Sequence, residues 1–197
     1  MGYYRKSCSI RDVFSIGGRN NEYYSEDPML SGKMGAASAE GAQSKGVIAF
    51  MKHFVCNDLE LNARSDVYIW VDEQSLREIY LRPFEIAVKE GEAAGAMSSF
   101  SHLGVEWCGG SSALLQDLLR DEWGFNGVVT TDAVLGGWMN AEVAAKNGND
   151  LMLEMGLQNS VGVLEKAYKN DPAGVVYGLK NSAHDICYAI VNYTNLL

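Results

Sequence analysis

At 197 residues, 47% of them hydrophobic, the chain can bury one sizeable core and reads as a folded domain. Sixteen Lys plus Arg against 25 Asp plus Glu leave a formal charge of −9 with no dense basic stripe, which argues against nucleic acid as a partner. Apolar runs are only a few residues long and the opening MGYYRKSCSI has no apolar h-region, so neither a membrane span nor a signal peptide is expected, and a cytoplasmic location is the default.

In chain order, short apolar runs alternate with helical patterns, the signature of parallel βα units. Strands are predicted at 47–51, 96–100, 128–132 and 150–153, with a possible first strand at 12–16. Helices are predicted at 31–44, rich in Ala, Gly and Lys, and at 73–90, where Leu76, Ile79, Tyr80, Ile86 and Ala87 make one apolar face. A third, 111–123, opens on serine and carries Leu114, Leu115, Leu118 and Leu119 on one stripe before Gly124 stops it. The last runs from Pro172, a residue suited to a first helical turn, to about residue 192. Cys8, Cys56, Cys108 and Cys187 are scattered without CxxC or Cys/His spacing, so they read as reduced thiols, and neither a metal nor another cofactor is indicated.

In parallel βα architectures, chemistry is done where strands end and βα loops begin. Three predicted strands end in reactive groups. The strand 47–51 runs into Lys52-His53-Phe54, the strand from Ala96 carries Met97, Ser98 and Ser99 with His102 beyond, and GVVTTDAVLGG places Asp132 at the end of a run of branched residues. Taken singly, each has a plainer reading. A strand-end aspartate can cap a turn, Lys52 and His53 can be a solvated pair, and Arg19 can bridge Glu22 or Asp27. Glu22, Glu26 and Asp27 read as loop and cap carboxylates, and His102 and His184 as structural.

Five ordered segments, GGRNNEYYSEDPMLSGKM (17–34), KGVIAFMKHFVCNDLELNAR (45–64), DEQSLREIYLRPFEIAVKEG (72–91), AMSSFSHLGVEWCGG (96–110) and LLQDLLRDEWGFNGVVTTDA (114–133), together resemble glycoside hydrolase family 3, the β-glucosidase-like enzymes. The resemblance runs from about Gly17 to the end, leaving 1–16 as an N-terminal segment and 17–197 as part of that family's barrel domain. It implies an α/β fold, an incomplete (β/α)8 barrel with about four or five parallel strands, where a complete barrel takes about 250 residues. It implies a retaining hydrolase that releases β-linked glucose or xylose from a non-reducing end, acting on a β-glucoside or short β-linked oligosaccharide. Asp132 matches the family's nucleophile. Arg19, Lys52, His53 and Arg64 match its sugar-binding positions, and Met97 and Ser99 would line the same pocket.

A retaining site needs a second carboxyl group about 5–5.5 Å from the first. The family usually takes it from a following domain with no counterpart here, which leaves Glu60, Glu106 and Glu154 as weak candidates for the acid/base. Three positions depart from the family: Ala133 replaces an aromatic residue, Asn21 a phenylalanine and Ser101 an asparagine. Weaker sugar affinity is expected from these losses, each worth about 1 kcal/mol. A sugar-binding derivative without turnover is the competing expectation. A phosphate-binding βα protein has no GxGxxG or GxxxxGK[ST] to support it. An open set of parallel strands would expose two edges and an apolar inner face, so a homo-oligomer or a complementing chain is expected.

Overall fold

The computed structural model describes residues 7–9, 19–59, 64–65, 68–156 and 159–194. Five strands, β1 (Ser7–Ser9), β2 (Phe50–Phe54), β4 (Gly95–Ser98), β7 (Val128–Val134) and β8 (Leu151–Glu154), form one sheet in that order. Every neighbouring pair is parallel, and among the described residues β1 and β8 are the edges of an open, incomplete barrel. The strand expected at 12–16 lies outside the described residues; the first strand of the sheet is at Ser7–Ser9.

Parallel strands need crossovers, and helices supply them. Helix α1 (Pro28–Gln43) begins three residues before the predicted start, because Asp27 accepts the Leu30 N–H at 2.8 Å and Pro28 takes the first turn. Its buried face is made of small residues, Ser31, Gly32, Gly35, Ala36 and Ala39. A Cβ on Gly32 would lie 2.7 Å from the Cδ1 of Ile86, so the glycine permits close packing on α3 (Arg82–Lys89). The predicted helix 73–90 is a continuous run of α2 (Glu73–Ser75), a π-helical segment Leu76–Leu81 and α3. The predicted helix 111–123 is π-helical over Ala113–Glu122, with its four leucines buried.

Register fixes the two faces of the sheet. Met51, Ala96 and Val129 are aligned partners, at most 2% exposed, and they meet Leu115, Leu119, Phe84 and Trp123 in the main core. Phe54 closes that core edge-on to Phe84 at 5.2 Å. One residue away in each strand, the side chains turn to the opposite face. There Phe50 and Val128 pack with Ala189, Ile48, Leu151, Ile186 and Tyr193. Those of higher number come from α6 (Pro172–Tyr193), so the second half of this helix covers the N-terminal end of that face. Gly95 lies between Phe50 and Val128 because a Cβ there would meet the Phe50 ring at 2.8 Å.

Several elements were not expected. Two short helices, α4 (Ala141–Lys146) and α5 (Ser160–Asn170), flank β8. A small second sheet joins β3 (Tyr68–Ile69), β5 (His102–Leu103) and β6 (Glu106–Trp107). The strand expected at 47–51 is displaced to Phe50–Phe54, because the Val47 N–H still belongs to the exit of α1, bonded to the Ala42 carbonyl at 3.3 Å. Among the described residues, no helix is long and apolar enough to cross a membrane.

Candidate active site

Two bulges shape the C-terminal end of the sheet. Between β2 and β4 the register passes from Lys52 opposite Met97 to Phe54 opposite Ser98, leaving His53 as the extra residue. Between β7 and β8 it passes from Thr130 opposite Leu151 to Ala133 opposite Leu153. A bulge re-aims side chains that strict alternation would send to opposite faces. The consecutive residues Lys52 and His53 thereby serve one site, and Asp132 reaches it from within β7, which continues to Val134 rather than ending at the aspartate. The Thr131 hydroxyl oxygen accepts the Leu153 N–H at 2.9 Å, satisfying the irregular ladder.

Asp132 is largely buried, its side chain 15% exposed. Oδ1 accepts the Ala133 N–H at 2.7 Å. Oδ2 lies 3.3 Å from His53 Nε2 and accepts no hydrogen bond from the described residues. Burial pushes the Asp132 carboxyl above the usual aspartate range, opposed by the Ala133 N–H and by the charges of Arg19, Lys52 and Arg64. That opposition places three cations around one carboxylate. Arg64 also packs over the Phe100 ring, 4.8 Å from its centroid.

The cations are themselves organised by Glu22. Its carboxylate accepts both Arg19 Nε at 3.0 Å and Arg19 Nη2 at 2.8 Å, and Lys52 Nζ stands 3.2 Å away. The Arg19 guanidinium is the main reason that the Glu22 carboxyl is lowered to about 2. Glu22 is therefore more than a loop carboxylate: it holds two of the site's donors in place. Beside it, Tyr23 Oη is 2.7 Å from His53 Nδ1. Burial, followed by the Lys52 and Arg19 charges, holds the His53 pKa well below the usual histidine value, so this ring is neutral.

Met97 sits on the central strand between Lys52 and Thr130, facing the site side. Ser99 is engaged elsewhere, since its hydroxyl donates to the Val55 carbonyl at 2.7 Å in a fully buried position and so ties β4 to the end of β2. Asp27 is the cap it was expected to be. Glu60 lies outside the described residues. Glu106 accepts the Ser111 hydroxyl at 2.8 Å, and Glu154 accepts the Ser160 N–H at 2.7 Å at the start of α5, so both carboxylates have structural partners. Sequence reasoning missed Glu22 and Tyr23 as site organisers, although they lie two and three residues after the GRN segment.

An open parallel sheet flanked by helices, with a carboxylate, an imidazole and cations at the C-terminal ends of its strands, is the architecture of a (β/α) barrel enzyme domain. The chain belongs to glycosyl hydrolase family 3: the model of that family's N-terminal domain matches residues 12–163. The β-glucosidase of Kluyveromyces marxianus is 42% identical over 136 residues, covering 69% of this chain and 16% of that protein. Structures of β-glucosidase 3B from Thermotoga neapolitana, in complex with glycerol and with α-D-glucose, superpose with TM-scores of 0.86 and 0.85 at 36% identity. Each alignment covers 95% of this chain and 27% of the Thermotoga chain. The sequence thus spans a small part of the proteins it matches.

Proposed function

We propose that this chain carries the nucleophile side of a retaining β-glucosidase site, acting on a β-linked glucose or xylose at a non-reducing end. The Asp132 carboxylate attacks the anomeric carbon, the aglycone oxygen leaves with a proton from an acid, and water then releases the sugar from Asp132. Arg19, Lys52, His53 and Arg64 donate to sugar hydroxyls, and Met97 forms the floor. The observation that carries this reading is the state of Asp132: a largely buried carboxylate in the C-terminal half of β7 with one oxygen left without a hydrogen bond. Its companions are donors or cations, which keep a nucleophile ionised and hold vicinal hydroxyls.

The acid is the open partner. Glu106 and Glu154 are both held by neighbours, which leaves Glu60, further polypeptide, a complementing chain or solvent as the source of the proton. The same observation favours a second reading, sugar binding without turnover. The open edges β1 and β8 likewise call for cover, by a second copy or by further polypeptide; a compact monomer at micromolar concentration in light scattering would argue against that.

The test of function uses a dinitrophenyl 2-deoxy-2-fluoro-β-glucoside and an activated aryl β-glucoside. The wild type should acquire a glycosyl adduct on the peptide containing Asp132. Asp132→Asn should lose the adduct and lower aryl glucoside turnover on the order of 10³-fold or more, as removal of a covalent nucleophile does elsewhere. Glucose binding with no adduct and equal rates for both proteins would leave the binding reading standing.

A further inference from the structure

The residue pairs Glu22-Tyr23 and Lys52-His53 meet in parallel: Glu22 takes Lys52 at 3.2 Å and Tyr23 takes His53 at 2.7 Å. The segment bearing Glu22 and Tyr23 is anchored to α1. Tyr24 Oη lies 2.7 Å from the Ser38 hydroxyl, and the Ser31 hydroxyl donates to the Ser25 carbonyl at 2.7 Å. Tyr23 is thus delivered to His53 by a pinned loop.

We propose that Asp132 sets the tautomer of His53 and Tyr23 holds the ring in it, the phenol donating its hydroxyl proton to Nδ1 while the single imidazole N–H sits on Nε2, beside Asp132. A neutral imidazole has one donor and one acceptor nitrogen, so two arrangements exist. With the proton on Nδ1, that nitrogen donates to Tyr23 Oη and the Nε2 lone pair faces the Asp132 Oδ2 at 3.3 Å. Two acceptors then oppose each other where His53 is 3% exposed and water cannot separate them. With the proton on Nε2, Tyr23 donates to Nδ1 and a positive hydrogen faces the carboxylate. Only the second arrangement is complementary at both ends.

The geometry has a further consequence for the reaction. Nε2 stands 3.3 Å from Oδ2 without its N–H forming an aligned hydrogen bond to it, so the carboxylate keeps its lone pairs. A phenol hydroxyl can donate or accept, so the choice is made at Asp132, and an amide in its place, which can also do either, leaves both tautomers complementary. The consequence for the reaction rests on the reading of Asp132 as nucleophile, whereas the tautomer does not.

The experiment is long-range proton–nitrogen NMR of ring-labelled histidine in the wild type and in Asp132→Asn, with His53→Gln to assign the signal among the three histidines. The wild type should show His53 as the Nε2–H tautomer with no titration from about pH 5 to 8, across the range where an ordinary histidine titrates. Asp132→Asn, whose amide can donate or accept, should shift it to the other tautomer or to a mixture. A wild-type Nδ1–H tautomer, or an Nε2–H spectrum unchanged by Asp132→Asn, overturns the proposal. In parallel, labelling of Asp132 by the fluoroglucoside should slow roughly 10–100-fold in Tyr23→Phe, the effect of removing a group that orients a functional histidine. Unchanged labelling in Tyr23→Phe removes the positioning role of Tyr23. If the wild type itself is not labelled, the nucleophile reading fails, and the tautomer stands or falls on the spectra.

Discussion

The two ends of the sheet use the same ingredients, an arginine, a buried aspartate and a second carboxylate, and connect them differently. At the N-terminal end, Arg120 Nη2 lies 2.9 Å from Asp150 Oδ2 and 3.1 Å from Asp185 Oδ2 of α6. Its other bonds go to the carbonyls of Gly127 and Gly148, and the Val129 N–H adds a second donor to Asp150 at 2.7 Å. At the C-terminal end, Arg19 is held by Glu22, and Asp132 receives one backbone N–H. The Asp150 side chain is 1% exposed and that of Asp132 15%. A buried aspartate near an arginine therefore does not define an active site. What separates the two is whether the arginine is engaged by the aspartate itself, and whether the carboxylate can be approached.

If the N-terminal cluster is a clasp that fastens α6 to β7 and β8, removing its hub is the most damaging change to the fold. Arg120→Ala leaves two carboxylates facing each other without a cation. A loss of about 3–5 kcal/mol is expected, the usual result of breaking a buried ion pair from one side. Urea unfolding monitored by circular dichroism measures it; an unchanged midpoint would mean that α6 is held by its apolar contacts alone.

The opposite sign is expected at the other end. Burial raises the Asp132 carboxyl, so at pH values above that raised pKa the ionised side chain costs the folded state stability. Asp132→Asn removes the charge and should raise the melting temperature at pH 8, by about 2–4 °C for each kcal/mol relieved in a chain of this size. Such a gain, paired with lost activity, is the trade expected where a site is kept strained for function. A lower melting temperature would mean that Arg19, Lys52 and Arg64 outweigh burial.

How much of this was legible in the sequence follows from where the information sits. Asp132, Lys52 and His53 were visible because they stand at the ends of apolar runs, where chain order alone brings βα loops together. The main strands and long helices were visible for the same reason, since periodicity is local. The organising contacts were not. Glu22 and Tyr23 act on residues 30 positions away, and no spacing rule marks that pairing. The bulges at His53 and Thr131 were hidden because a register shift exists only between strands. Strands of two residues and the six-residue α4 are too short to show a period. The Asp27-Pro28 start of α1 was readable as a cap followed by a first-turn proline, and the helix was nevertheless expected three residues later.

The smallest expected effect concerns pH and separates the two ends most finely. Asp150 is raised to about 7, chiefly by burial, with Asp185 adding to the shift and Arg120 opposing it, because one guanidinium serves two carboxylates. In the unfolded chain the same group releases its proton near the ordinary aspartate value of 3.8. Between these values the folded state binds more protons than the unfolded one, so the contribution of Asp150 to stability is full below pH 3.8 and is lost as pH rises through about 7. Asp150→Asn keeps an acceptor for Arg120 and for the Val129 N–H but cannot titrate. Melting temperatures measured at intervals from pH 5 to pH 8 should therefore fall less steeply in this variant than in the wild type, while Asp132→Asn, whose carboxyl is raised by burial at the other end of the sheet, should leave the part of the slope due to Asp150 intact. Parallel pH profiles for wild type and Asp150→Asn would mean that Arg120 keeps Asp150 ionised throughout, and that the clasp is a permanent ion pair rather than one that takes up a proton.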